Sequence, residues 1–341
     1  MPSEQRPGAE VAVVLVGGPV DLVGSLDVFR RSGDDLLDRW DGRVWLRALA
    51  VDGRMVGTAA RPAGTVAEPA LLVAAEAGAD AEAAGRVLAG AFPTAPAALA
   101  GLAAADPVVA RIAARFPGIG PVLQPDLLTA VVRAISAQQI TLRFAAVLRG
   151  RLARRYGHRH QVRVPPPLDG PADPPDGEVW SLDPARLAGA EVADLRELQF
   201  SNAKAVAVIA FAGAVASGRM DLGELAGLED EAVVERLVAF PGIGRWTAEW
   251  LLARTLGRPR VVAGDLGVRK AVGAAYLDGR MPSEAEVRAV TGHWGPAAGV
   301  AQQLLLHWLS TEAPGRGGPR RPAGATGSRS ATRQGRSSHP G

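Results

Sequence analysis

The pattern of apolar and polar positions changes character near residue 106. Before it, Val11–Val16 is a β-rich apolar run. Val44–Ala50 and Met55–Ala60 flank Asp52-Gly53, which predicts a hairpin. Glu68–Phe92 is Ala-rich with scattered apolar positions and predicts a helix. From Asp106 onward the pattern is almost wholly helical. Leu127, Leu128, Val131, Ala134 and Ile135 recur at helical spacing in Asp126–Tyr156, with Thr141–Tyr156 a second helix or a continuation. Val164–Gly177 holds six prolines and two glycines and is expected to be a surface loop. Helices are expected to resume at Asp183–Ala188, Asp194–Leu198, Asn202–Ser217, Asp230–Ala239, Trp246–Leu256, Leu266–Tyr276, Ser283–Gly292 and Pro296–Thr311. Residues 313–341 are Gly, Pro, Ser and Arg with almost nothing to bury, so a disordered basic tail is expected. The fold class is α+β: a small β-rich N-terminal domain over 1–105, then helical domains over 106–312.

Composition narrows the chemistry. The 341 residues are 48% hydrophobic and 21% charged, enough for two domains with sizeable cores. With no cysteine there is no disulfide, no thiolate-held zinc, no iron–sulfur cluster and no thiol nucleophile. The net charge of +3 is unevenly spread: residues 1–120 carry 11 Arg against 14 acids, 121–312 are balanced, and 313–341 carry six Arg and no acid. The basic excess therefore belongs to the tail. Only two of the 38 basic residues are lysines, Lys204 and Lys270. No export signal is evident, and the apolar stretch Ala205–Ala216 is too short for a bilayer, which needs about twenty residues. A soluble, intracellular protein without membrane contact is expected.

One hexapeptide nearly repeats, as Phe116-Pro-Gly-Ile-Gly-Pro121 and Phe240-Pro-Gly-Ile-Gly-Arg245. Pro121 and Pro125 delay any helix after the first copy. The second runs straight into Trp246-Thr-Ala-Glu-Trp-Leu-Leu-Ala-Arg, giving helix, tight glycine turn, helix. Pro241 ends the first helix, the glycines permit positive φ, and Ile243 plugs between the helices. The second helix then opens with unpaired N–H groups near Gly242, Gly244 and Thr247, which suit a phosphate oxygen. A plain helix cap with a glycine turn is the alternative. Trp246 and Trp250, four apart, share a face: either core packing or a stacking wall for an extruded base. Asp265 follows the apolar Val261-Val-Ala-Gly and opens a helix, so it is either an ordinary N-cap or a carboxylate brought back to the hairpin's face. His158 and His160 follow a helix with Arg149, Arg151, Arg154 and Arg155; a solvated basic face and a phosphate contact are both open.

Phe240-Pro-Gly-Ile-Gly-Arg-Trp-Thr-Ala followed by Gly264-Asp265-Leu-Gly resembles the helix–hairpin–helix DNA glycosylase superfamily, and within it the 3-methyladenine DNA glycosylase II group. Asp106-Pro, Phe116-Pro-Gly, Ala134-Ile-Ser-Ala-Gln-Gln-Ile, Lys204 and Trp294-Gly-Pro296 add to the likeness. Trp45–Gly57 is similar to the small β-rich domain that precedes the helical pair in that group. The similarity covers most of residues 10–312.

The resemblance implies a helical helix–hairpin–helix glycosylase domain pair over 106–312. It implies Asp265 as the catalytic carboxylate and Trp246, Trp250 and Trp294 around a base pocket. Gly242, Gly244, Arg245 and Thr247 would meet the DNA backbone. Gln139, with Gln138 beside it, would enter the gap left by a flipped base, although both could equally bond within a helix turn. The carbonyls of Val238, Phe240 and Ile243 match positions that hold a monovalent cation, Na or K; no other cofactor is required. Strand-cleaving relatives place a lysine in the hairpin, where this chain has Trp246, so water is the expected nucleophile. After Trp294-Gly-Pro296 the group carries an aromatic and an arginine, whereas this chain has Ala297 and Ala298, which leaves the substrate range open. The function implied is excision of alkylated purines from double-stranded DNA by a cytoplasmic, nucleoid-associated monomer. A non-catalytic helix–hairpin–helix DNA-binding protein and a glycosylase for other damaged purines are the alternatives.

Overall fold

The computed structural model describes residues 11–168 and 176–312; the tail expected over 313–341 lies outside the described residues. The N-terminal part is a five-stranded antiparallel sheet built from β1 (Val11–Leu15), β2 (Asp38–Trp40), β3 (Trp45–Val51), β4 (Arg54–Gly64) and β5 (Pro69–Ala75), in the order β1-β5-β4-β3-β2. The hairpin expected at Asp52-Gly53 joins β3 to β4: Val51 pairs with Arg54, and both turn residues have positive φ, at 48° and 76°. The helix expected over Glu68–Phe92 divides into a strand, β5, and a shorter helix. Every residue of β5 is buried, so no alternation marks it as a strand in the sequence. The helix begins only at α2 (Ala81–Ala89), where the Asp80 carboxylate accepts the N–H groups of Glu82 and Ala83. Helix α1 (Leu22–Ser32) and α2 bury one sheet face around Leu26, Phe29, Trp45, Leu71 and Leu88.

The helical part follows as α3 (Pro96–Ala105), α4 (Pro107–Arg115), α5 (Leu127–Ala137), α6 (Leu142–Tyr156), α7 (Pro184–Ala188), α8 (Val192–Glu197), α9 (Asn202–Ala216), α10 (Leu222–Ala226), α11 (Asp230–Val238), α12 (Arg245–Arg254), α13 (Leu266–Tyr276), α14 (Glu284–Thr291) and, after a 3-10 turn over Gly292–Ala297, α15 (Ala298–Thr311). It is not all-helical. Strands β6 (Gly157–Arg163) and β7 (Asp176–Leu182) interrupt it, and Val162 and Val164 pack with Val44, Ala59 and Ala74 on the sheet face opposite α1 and α2. In β6 only Gly157, His160 and Val162 are buried and the rest are charged or polar, so the stretch lacks the apolar alternation that would reveal it.

The helices form two cores. One gathers α5 through α12 around Val131, Ile135, Phe211 and Leu251. The other joins α3 and α4 to α13, α14 and α15, bringing Leu102, Val109 and Ile112 against Val272, Trp294 and Leu304. The glycine hairpin belongs to the first core and Asp265 to the threshold of the second. None of the described helices is long and apolar enough to cross a membrane.

A buried ion-pair network ties the N-terminal part to the first helical core. Asp35 meets Arg133 at 2.9 Å and Arg149 at 2.8 Å, while Asp38 pairs with Arg47 and, at 3.0 Å, with Arg133. Burial alone would raise the Asp35 carboxyl, but Arg133 and Arg149 outweigh it and hold it below its ordinary value.

Candidate active site

The two hexapeptide copies have different surroundings. In the first, Gly118 (φ 80°) lies flat on the start of α1: its carbonyl accepts the Asp21 N–H at 2.8 Å, and a Cβ there would stand 2.5 Å from that nitrogen. That copy is a packing turn. In the second, Pro241, Gly242 and Gly244 are exposed, and only Ile243 is buried beneath them. Gly242 has φ 76°, and a Cβ there would come 2.8 Å from the Ala207 methyl on α9. Phe240 packs edge-on against Phe211 of the same helix, centroids 5.1 Å apart. The hairpin is therefore seated on α9 with its tip facing solvent.

Gly244 is the N-cap of α12 and offers no side chain, so the N–H groups of Arg245, Trp246 and Thr247 stay open at the positive end of the helix. The Thr247 side chain itself is buried, leaving its N–H as the contact it can make. The Arg245 guanidinium is engaged by Glu231 through two bonds, of 2.8 and 3.0 Å. Beneath it the buried Glu249 carboxylate meets Arg245 at 3.3 Å, Arg288 at 3.1 Å and Arg260 at 3.8 Å. This shell stiffens the first turn of α12.

Asp265 caps α13 by accepting the Val268 N–H on Oδ1 at 2.9 Å; its backbone closes a turn onto the Val262 carbonyl at 3.0 Å. That turn is held from behind by the buried Gln302, which accepts the Val262 N–H at 2.7 Å. The neighbouring Gly264 lies against Trp246: a Cβ added there would be 3.0 Å from the indole Cδ1. The Asp265 turn and the hairpin helix thus meet at the seam between the two cores. Trp246 is half-buried, and its indole N–H has no partner among the described residues. Trp250, one turn on, packs against the first core. Trp294 is not brought to this seam as an open wall: at 2% exposure it lies in the second core, its ring 6.3 Å from Tyr276. Ala297 and Ala298 are buried in that core too.

Arg254 was not singled out in the sequence. It donates to Gln303 at 2.7 Å; burial pushes its guanidinium down to about 10, with the Asp265 carboxylate pulling the other way. It remains cationic at neutral pH. Two adjacent glutamines, Gln302 and Gln303, among the apolar residues of the first turns of α15 were the available signal, because buried amides need partners.

The two candidate intercalating residues behave differently. Gln138 Nε2 donates to the Gly242 carbonyl at 3.0 Å, tying the end of α5 to the hairpin. Gln139 is exposed and holds φ at 59°, the left-handed region that non-glycine residues rarely occupy. Lys204 on α9 donates to the carbonyls of Ser136 at 2.9 Å and Gln138 at 2.6 Å, and burial lowers its ammonium below the ordinary value. The basic run before β6 makes internal pairs: Arg149 is buried on Asp35, His158 meets Asp183 at 2.8 Å, and His160 lies between Glu76 and Ser181. A hollow of about 810 Å³ lies elsewhere, beside α1 and β2, lined by charges of both signs, among them the ion pair of Arg39 with Asp34. Among the described residues no group of three His, Asp or Glu side chains is placed to hold a metal ion.

A helix–hairpin–helix with open N–H groups is thus met, at the seam between the two cores, by a carboxylate that opens a second helix. Residues 132–296 match the family described as HhH-GPD superfamily base excision DNA repair protein, and the chain carries a domain of that superfamily. It is 31% identical over 205 residues to DNA-3-methyladenine glycosylase 2 of Escherichia coli, covering 59% of this chain and 64% of that protein. It is 25% identical over 195 residues to the DNA-3-methyladenine glycosylase of Bacillus subtilis, covering 57% and 60%. The solved structure of a 3-methyladenine DNA-glycosylase from Archaeoglobus fulgidus superposes with a TM-score of 0.71 at 25% identity, covering 88% of this chain and 98% of that one. The matched segment spans about three fifths of the length of these two curated relatives.

Proposed function

We propose that the chain is a monofunctional DNA glycosylase that flips alkylated purines out of double-stranded DNA and hydrolyses their N-glycosyl bond, 3-methyladenine first among them. The observation that carries this reading is Asp265: one carboxylate oxygen is fixed by the α13 cap, and its turn lies against the first turn of the hairpin helix. Breaking the bond builds positive charge on the deoxyribose, and a fixed carboxylate stabilises it. The open N–H groups of residues 245–247 position a phosphate without reading sequence. Gln139 occupies the space the base vacates, and Trp246 lies beside the extruded ring. An N-alkylated purine is already cationic and a good leaving group, so water suffices as nucleophile. Lys204, turned onto backbone carbonyls, and Lys270, one turn into α13, leave the hairpin without an amine.

The carbonyls of Val238, Phe240 and Ile243 are oxygen donors of the kind that suits Na or K, with that of Phe240 also accepting the Ile243 N–H at 3.2 Å. Those of Val238 and Ile243 accept no backbone hydrogen bond among the described residues, which leaves them free to hold a cation against the DNA phosphate. The reading carries with it damaged duplex DNA of the nucleoid as partner and a monomer as the working form.

The test is direct. The full chain is incubated with duplexes that each carry one lesion (3-methyladenine, 7-methylguanine, hypoxanthine or ethenoadenine), and the free base is measured by chromatography. Release of the alkylated purines is expected. No release from any duplex refutes the reading.

A further inference from the structure

Three elements converge behind the exposed Gln139. Helix α5 ends with Ser136, Ala137 and the C-cap Gln138, and the last carbonyls of a helix carry partial negative charge. Lys204 reaches over from α9 and donates to two of them, at 2.9 and 2.6 Å, with no carboxylate partner among the described residues. The next residue, Gln139, turns into the left-handed region and faces solvent. Gln138 spends its amide on the Gly242 carbonyl at 3.0 Å, and Gly242 in turn rests on Ala207, three residues along α9 from Lys204. One helix thus supports both the loop that presents Gln139 and the hairpin that presents its N–H groups. A φ of 59° on a residue with a Cβ costs roughly 1–2 kcal/mol and persists only where its surroundings impose it.

We propose that Lys204 and Gln138 are positioning residues for base flipping: they hold Gln139 in its strained, outward conformation and lock it in register with the hairpin's phosphate site. This rests on the glycosylase reading. It divides the Gln138–Gln139 pair into a strut and a probe, and gives one of the chain's two lysines a task other than nucleophilic attack. A phosphate gripped at the hairpin and a side chain driven into the stack then move as one body, so grip and insertion are geometrically coupled.

The experiment compares single-turnover excision of the same lesion in two contexts: paired, where the gap must be filled, and opposite an abasic analogue, where the lesion is already unpaired. Lys204→Met is expected to slow the paired substrate about tenfold and the unpaired one less than about twofold, since the bonds it loses bear on the rate only where Gln139 must insert. Lys204→Arg, which keeps a cation and its donors, should recover the paired rate to within about threefold. Gln138→Leu on the loop surface should reproduce the same split with a smaller loss, and it decides the matter if Lys204→Met does not fold. No loss, or equal loss on both substrates, overturns the proposal while leaving the glycosylase reading intact. A wild-type chain that releases no base overturns both.

Discussion

Asp265 has two duties that one substitution separates. As N-cap of α13 its Oδ1 takes the Val268 N–H at 2.9 Å, and an asparagine can accept the same bond. Asn and Asp are nearly equal as caps, so Asp265→Asn should change folding stability by less than about 0.5 kcal/mol. What it removes is the charge. With a carboxylate oxygen ~4 Å from the cationic sugar and an effective dielectric of ~20, the lost attraction is ~4 kcal/mol. That corresponds to a rate lower by roughly 10³. The assay is single-turnover release of a methylated purine with protein in excess, alongside thermal denaturation and binding to abasic-site DNA by fluorescence anisotropy. The expected pattern is an unchanged melting temperature, affinity within about threefold, since the N–H groups at the hairpin are untouched, and excision down about a thousandfold. Asp265→Ala should be as slow, and also less stable by about 1 kcal/mol, because it loses the cap as well. Excision by the asparagine variant within tenfold of wild type refutes the electrostatic account. A large fall in affinity would show the residue to be a DNA contact instead.

Other consequences follow from the same geometry. Borohydride treatment during turnover should trap no covalent adduct; an adduct that disappears in Lys270→Ala would make the protein a strand-cleaving enzyme. Gly242→Ala forces a Cβ to 2.8 Å from the Ala207 methyl at positive φ, so it should cost roughly 1–2 kcal/mol in urea unfolding and weaken abasic-DNA binding. Asp35 is held below its ordinary value of 3.8, so its stabilising charge is fully present above about pH 4 and is lost as pH falls through the lower folded value. Asp35→Asn should therefore flatten that acid limb of the stability curve while costing about 3–5 kcal/mol at pH 7, because Arg133 and Arg149 lose their buried counter-ion. An unchanged acid limb in the variant would refute that assignment.

The sequence carried the α+β class, the β3–β4 turn, the hairpin and the helix start at Asp265, because each rests on local chemistry: two turn residues, a glycine pair before a helix, a carboxylate at a helix start. Only the family resemblance put Gln139 ahead of Gln138; residue chemistry alone could not separate them. The two amides are chemically identical, and only the backbone turn at Gln139 decides which one faces outward. Nor could it tell that Trp294 is core while Trp246 lies at the seam, since aromatic residues serve both purposes and burial is settled by distant packing. Arg149 looked like one more member of a solvated basic face. Its partner Asp35 lies 114 positions away, a pairing invisible to any local pattern. Strand β5 was hidden for the opposite reason, because a strand buried on both faces has no periodicity to read.

The ion-pair network has a bearing on how this molecule can be divided. The superfamily match begins at residue 132, one position before Arg133, which invites cutting the chain there to obtain a minimal fragment. Such a fragment would keep Arg133 and Arg149 and discard both Asp35 and Asp38, leaving two interior guanidinium groups with no counter-ion at a penalty of several kcal/mol each. It would also lose Leu102, Val109 and Ile112, which complete the core that supports Asp265. The recognisable segment is therefore not a transplantable module. Its boundaries in sequence are not boundaries in free energy, and the N-terminal sheet is part of what keeps the proposed site residues folded.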